Sequence, residues 1–138
     1  MLVLVLAAIV LMRVLNDDVT TTTTSVEDTQ LQPGDAAMRE HVSLSIDFGN
    51  GQRRDFDDIA WREGMTVADL LRSAPGLVTT QRDSSIGAFL TAIGDTTNEG
   101  AEGKNWTYEV NGQRADRSFD AYVLRPGDRV LWTFGPRR

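Results

Sequence analysis

The sequence predicts an α+β domain, a mixed sheet crossed by one helix, because its apolar residues recur with two different periods. In "VSLSIDF" (42–48), Val42, Leu44, Ile46 and Phe48 fall on one face and Ser43, Ser45 and Asp47 on the other, as in a half-buried strand. In "TVADLLRSA" (66–74), Val67, Leu70, Leu71 and Ala74 follow the spacing of one helical face. Near the end, "NWTYEV" and "RVLWTF" return to strict alternation, with Trp106, Tyr108 and Val110 in phase in the first and Val130, Trp132 and Phe134 in the second.

The connections support this order. "GNG" (49–51) supplies the positive-φ residues of a tight hairpin, and the chain returns as "QRRDFDDIAW", where Phe56 and Trp61 are the expected core contributors. Thr66 caps the helix, with Asp69 three residues on as its capping-box partner, and Pro75-Gly76 stops it after about two and a half turns. "GAFLTAIGD" (87–95) reads as a short strand followed by a polar loop, "TTNEGAEGKN". The next strand turns at Asn111-Gly112, and "RPGD" (125–128) is a turn with proline preset for its first corner. The expected order is a hairpin of two strands, one helix, then three short strands.

Before this domain come two stretches of different character. Residues 1–15, "MLVLVLAAIVLMRVL", are apolar except Arg13 and read as a signal peptide or membrane anchor; a full span needs about 20 residues and a secretory apolar region about 7 to 15. Residues 16–40 include five consecutive threonines, several acids and Pro33-Gly34, and have too few large apolar groups to offset the entropy of ordering, so they read as a flexible linker. The expected division is therefore 1–15, 16–40 and a folded unit at 41–138. An apolar segment followed by such a tether predicts an extracytoplasmic protein, membrane-anchored or secreted.

Composition removes several function classes. Fourteen basic against twenty acidic residues leave a net charge of −6, which opposes general attraction to nucleic acid. Without cysteine there is no disulfide, thiolate metal site or cysteine nucleophile, and the lone histidine, His41, has no evident partner for acid–base work. "GNGQRR" lacks the Lys-Ser/Thr ending of a phosphate loop, and no serine lies in a nucleophile elbow. Asp55 and Asp57 share a strand face, where a weak cation site is weighed against a solvated, charged edge that discourages strand pairing; the latter is the expectation. No catalytic residue and no metal ligand is assigned, and the protein is not expected to be an enzyme.

A hairpin, a helix across a sheet and a last strand after a Pro-Gly-Asp turn is the element order of a β-grasp domain. Four pieces, "GMTVADLLRSA", "GAFLTAIGD", "WTYEVNG" and "YVLRPGDRVLWTFG", together with the first hairpin, resemble the C-terminal β-domain of transcobalamin and intrinsic factor, a module that also occurs as a bacterial domain family of unassigned function. The resemblance spans residues 42–134. In the eukaryotic carriers this module closes over one face of a corrin opposite a larger helical domain, for which the 138 residues show no counterpart.

The resemblance implies a binding module for a corrinoid, cobalamin being possible, or a similar flat cofactor. The alternatives are a protein-interaction module using a sheet edge and, third, a small hydrolase. The ligand-binding candidates are Phe89, Trp106, Tyr108, Asn111 and Gly112, at an edge between the third and fourth strands, with the loop at 95–105 folding over the ligand. Two readings compete at the aromatics: a ligand face, or the inner face of the sheet packed with Leu70, Leu71, Val130, Trp132 and Phe134. At Asn111 the competing reading is a turn residue that tolerates positive φ.

Overall fold

The computed structural model describes residues 40–136; residues 1–39, with the apolar segment and nearly all of the linker, lie outside them. The elements are β1 (His41–Asp47), β2 (Arg53–Ala60), α1 (Val67–Ser73), β3 (Thr79–Ser84), β4 (Gly87–Ile93), β5 (Thr96–Thr97), β6 (Lys104–Val110), β7 (Gln113–Arg114) and β8 (Arg129–Pro136). Two sheets form, one in the order β2-β1-β8-β6-β7 and one in the order β3-β4-β5. In the larger sheet β1 and β8 run parallel and the other pairs are antiparallel, so the mixed sheet and single helix of the α+β expectation are present. No helix among the described residues is long and apolar enough to cross a membrane.

Register turns the sequence alternation into one apolar face. Leu44 and Ile46 pair with Val130 and Trp132 across the parallel ladder, and Trp106, Tyr108 and Val110 pair with Phe134, Trp132 and Val130 across the antiparallel one. These residues are all buried, and Val67, Ala68, Leu70 and Leu71 of α1 belong to the same core. β2 keeps its contribution to that core by a bulge: Phe56 faces Leu44 and Ile59 faces Val42, so Asp57 and Asp58 together oppose one residue and both stay exposed. Simple alternation misses Ile59 for that reason. Trp61 completes the edge, donating its indole N–H to the Leu124 carbonyl at 2.9 Å.

The hairpin before β2 depends on glycine twice over. Gly49 has φ +67, and a β-carbon there would lie 2.3 Å from the Phe134 carbonyl oxygen, inside any real contact. At the other end of β6, Asn111 (φ 53) and Gly112 (φ 78) form the two-residue turn that the Asn-Gly pair predicts. The Arg125-Asp128 turn closes with Asp128 N–H donating to the Arg125 carbonyl, with Gly127 at φ 84 after Pro126.

Three strands are not in the sequence expectation. β3 is "TTQRDS", exposed nearly throughout and without an apolar period; β5 and β7 have two residues each. The consequence is a correction to the expected layout: β4 is drawn into a separate sheet with β3 and β5 and does not lie beside β6 as a sheet neighbour.

The helix start follows the capping prediction closely. Asp69 N–H donates to the Thr66 hydroxyl, and the Asp69 carboxylate accepts from the Thr66 N–H at 2.9 Å. That backbone hydrogen bond, with further help from the Thr66 hydroxyl, Arg72 and Arg62, holds the Asp69 carboxyl below its ordinary value of 3.8. Thr66→Ala is expected to cost about 1 kcal/mol of unfolding free energy in urea. A lowered folded-state pKa means the carboxylate's contribution is complete above the unfolded value near 3.8 and disappears as pH falls through the lower folded value. The wild type should therefore lose stability more steeply below about pH 4 than Asp69→Asn, measured by urea midpoints along a pH series. Trp106, only 5% exposed, is expected to cost about 3 to 5 kcal/mol when truncated to alanine.

Candidate functional site

Three of the five nominated residues meet at one place. Phe89, Trp106 and Tyr108 line a cavity of about 140 Å3 at the seam between β4 and β6, with Trp132, Phe119 and Arg117 completing its wall. Phe89 stands at the lip, 49% exposed, whereas Trp106 and Tyr108 are 5% and 8% exposed and belong to the core. Alternation along β4 explains the difference: Ala88 and Leu90 point inward and Phe89 points out. Trp106 and Tyr108 are thus core side chains, as one of the two sequence readings has it, and both also line the cavity.

The wall is held by aromatic contacts and hydrogen bonds. Tyr108 stacks on Trp132 with centroids 4.9 Å apart, and Phe119 meets Trp132 at 5.6 Å in a T-shaped contact. The Tyr108 hydroxyl donates to the Arg117 carbonyl at 2.7 Å, and burial pushes its pKa well above the ordinary phenol value. The Trp132 indole N–H is buried without an acceptor among the described residues. At the rim, the single Ser118 hydroxyl proton is shared between the Asp120 carboxylate and the Ala88 carbonyl, and Asp120 also accepts from Ala88 N–H. Those bonds, the Ser118 hydroxyl first among them, lower the Asp120 pKa and fix the start of β4 against the 118–120 turn. Gly87 (φ +113) permits that approach, since a β-carbon would meet the Ser118 side chain at 2.6 Å.

The loop at 95–105 does not stand free over the cavity. Its first residues form β5, and the buried Asn105 amide donates to the carbonyls of Gly100 and Gly103 while accepting from Gly100 N–H. Asn98 reaches in both directions, donating to the Leu90 carbonyl and accepting from Trp106 N–H, and Trp106 in turn donates its indole N–H to the Thr96 carbonyl. The polar side chains of this loop are what bind it to its own domain.

The remaining nominated residues lie elsewhere. The Asn111 amide donates to Asp128 at 2.8 Å and accepts from Arg129 N–H at 2.9 Å, so it ties the β6–β7 turn to the start of β8. Asn111 and Gly112 border a shallow depression on the outer sheet face, with Ser45, Arg53 and Asp55, apart from the aromatic cavity. Asp55 accepts from Arg53 at 2.8 Å and from the Ser45 hydroxyl, which lowers its pKa, Ser45 being the larger influence. Among the described residues no three His, Asp or Glu side chains come together to hold a metal ion. The sequence reading places Trp132 in the core only and omits Phe119 and Arg117; "RSFD" carries no periodic signal that could have nominated them.

The comparisons bear on fold and family. No curated protein matches the sequence. Among solved structures, that of a "putative metal binding protein" from Ruminococcus gnavus ATCC 29149 superposes with a TM-score of 0.61 at 16% identity, covering 72% of this chain and 99% of that chain, a likeness of fold. The family model described as "Domain of unknown function (DUF4430)" matches residues 64–136, from just before the helix cap to the end of β8. With more than half of its length so matched, the chain belongs to that family of domains of unknown function.

Proposed function

We propose that this is a non-enzymatic binding module whose site is the aromatic cavity under Phe89. The observation that carries the reading is the convergence of Phe89, Trp106 and Tyr108, from two different sheets, on one opening. At about 140 Å3 the cavity matches in size the engineered apolar cavity of about 150 Å3 that admits benzene, so it takes the edge or a side group of a ligand whose body lies outside across the Phe89 ring. A flat, largely apolar cofactor has that shape.

A corrinoid is the named candidate, supported by the resemblance of the helix, β4, β6 and β8 stretches to the transcobalamin C-terminal module. The fold likeness to a protein described in terms of metal binding fits the same reading, because a metal carried inside a macrocycle needs no cage of protein carboxylates. Placement outside the cytoplasmic membrane is part of the proposal and rests on the apolar residues 1–15 and the threonine-rich stretch. Protease shaving of intact cells tests it, with degradation of the domain the expected result.

A second reading, strand addition by a protein partner, is favoured by β3: a six-residue edge strand exposed along nearly all its length, followed by Ile86 at 90% exposure.

Titrating the protein with cobalamin and following the corrin absorbance separates the two. On the first reading the spectrum shifts saturably and Phe89→Ala weakens binding at least about tenfold, with a thermal midpoint close to wild type because the ring is half exposed. An unchanged corrin spectrum, with a partner retained in pull-down and lost on proline substitution at Gln81, would transfer the function to the β3 edge.

A further inference from the structure

A second groove is bordered by Arg117 and does not include Phe89 in its lining. It has a volume of about 510 Å3 and runs between β7 and the segment 121–128, lined by Arg114, Arg117 and Arg125, by Asp116 and Asp128, and by Tyr122. Three guanidinium groups along one groove stand out in a chain of net charge −6.

The two aspartates are already engaged. Asp128 accepts from Asn111 Nδ2 with one oxygen and from Arg125 N–H with the other, both at 2.8 Å. Asp116 pairs with Arg117 Nε at 3.2 Å, an exposed contact that holds its partner weakly. Arg117 also lies over the Tyr122 ring, its central carbon 5.5 Å from the centroid, which orients the planar fork along the groove wall. Among the described residues no carboxylate pairs with the Arg125 guanidinium, which is carried on the Pro-Gly turn.

The geometry points to a binding site for a multiply charged oxyanion, phosphate or carboxylate, held between the Arg117 and Arg125 guanidinium groups. Planar forks match either group with paired N–H donors, and both oxygens of the Asp128 carboxylate are already held by Asn111 and the Arg125 N–H. The site is separate from the aromatic cavity except for the shared Arg117, so a failed cobalamin titration leaves it standing.

The test is titration of the full chain with sodium pyrophosphate, and in parallel with sodium citrate, followed by amide chemical shifts, against sodium chloride at equal ionic strength. The expected result is saturable shifts confined to residues 113–117 and 121–128, with affinity falling at least about tenfold in Arg117→Gln and in Arg125→Gln. Both side chains are exposed and the Arg125 turn is closed by backbone atoms, so the variants should retain the wild-type spectrum elsewhere. Arg125→Lys, which keeps the charge and loses the fork, should fall between the two. Saturation by pyrophosphate alone identifies a phosphate-bearing ligand, and saturation by citrate alone a carboxylate-bearing one. Shifts reproduced by chloride, or unchanged affinity in both glutamine variants, would overturn the assignment.

Discussion

Two sheets that share no strand have to be joined by side chains, and most features of this domain follow from how that is done. Trp106 is the principal joint. Its backbone belongs to the larger sheet, its N–H is taken by Asn98, its indole nitrogen reaches the Thr96 carbonyl in β5, and its ring packs on Phe48 and Phe134 at 5.5 and 5.2 Å. At the other end of β4, Ser118 and Asp120 grip Ala88. Between these two attachments the sheets do not quite close, and the aromatic cavity occupies that remaining gap. The candidate site is thus a by-product of the joint, bordered by the same residues that keep the sheets together.

This also explains why the seam is polar at its ends and apolar in its middle. A backbone N–H or C=O withdrawn from water must find a partner, and where β4 and β6 face one another without a ladder, asparagine amides supply both donor and acceptor from one side chain. Asn98 does this across the seam and Asn105 within the loop. The amides make the loop at 95–105 a structural brace.

What could be read from the sequence was whatever repeats. Val42 to Phe48, the Thr66 cap and the Val130, Trp132, Phe134 series declare themselves because burial on one face imposes a period. β3 has no such mark, since an edge strand exposed on both faces has no reason to alternate. Ile59 is hidden by the bulge at Asp57-Asp58, which shifts the phase within one strand. The site was half legible for a related reason. Phe89 and Trp106 could be nominated because their strands were recognisable, whereas Arg117, Phe119 and Trp132 come together with them only through the packing of the 115–120 turn on β4 and the core. The Asn111-Gly112 turn, expected to share an edge with the loop at 95–105, borders a different depression, since nothing in the sequence shows to which face a turn at the end of a strand will open.

The position of β8 bears on how the molecule comes into being. β8, the last of the described strands in chain order, lies between β1 and β6, inside the larger sheet. While the chain is being made, the first hairpin and the helix can emerge and cover part of Leu44 and Ile46, yet the parallel neighbours of these residues, Val130 and Trp132, arrive only with β8. One side of β1 therefore stays without its strand partner from β1 to β8, a non-local pairing of the kind that forms slowly and leaves an edge exposed meanwhile.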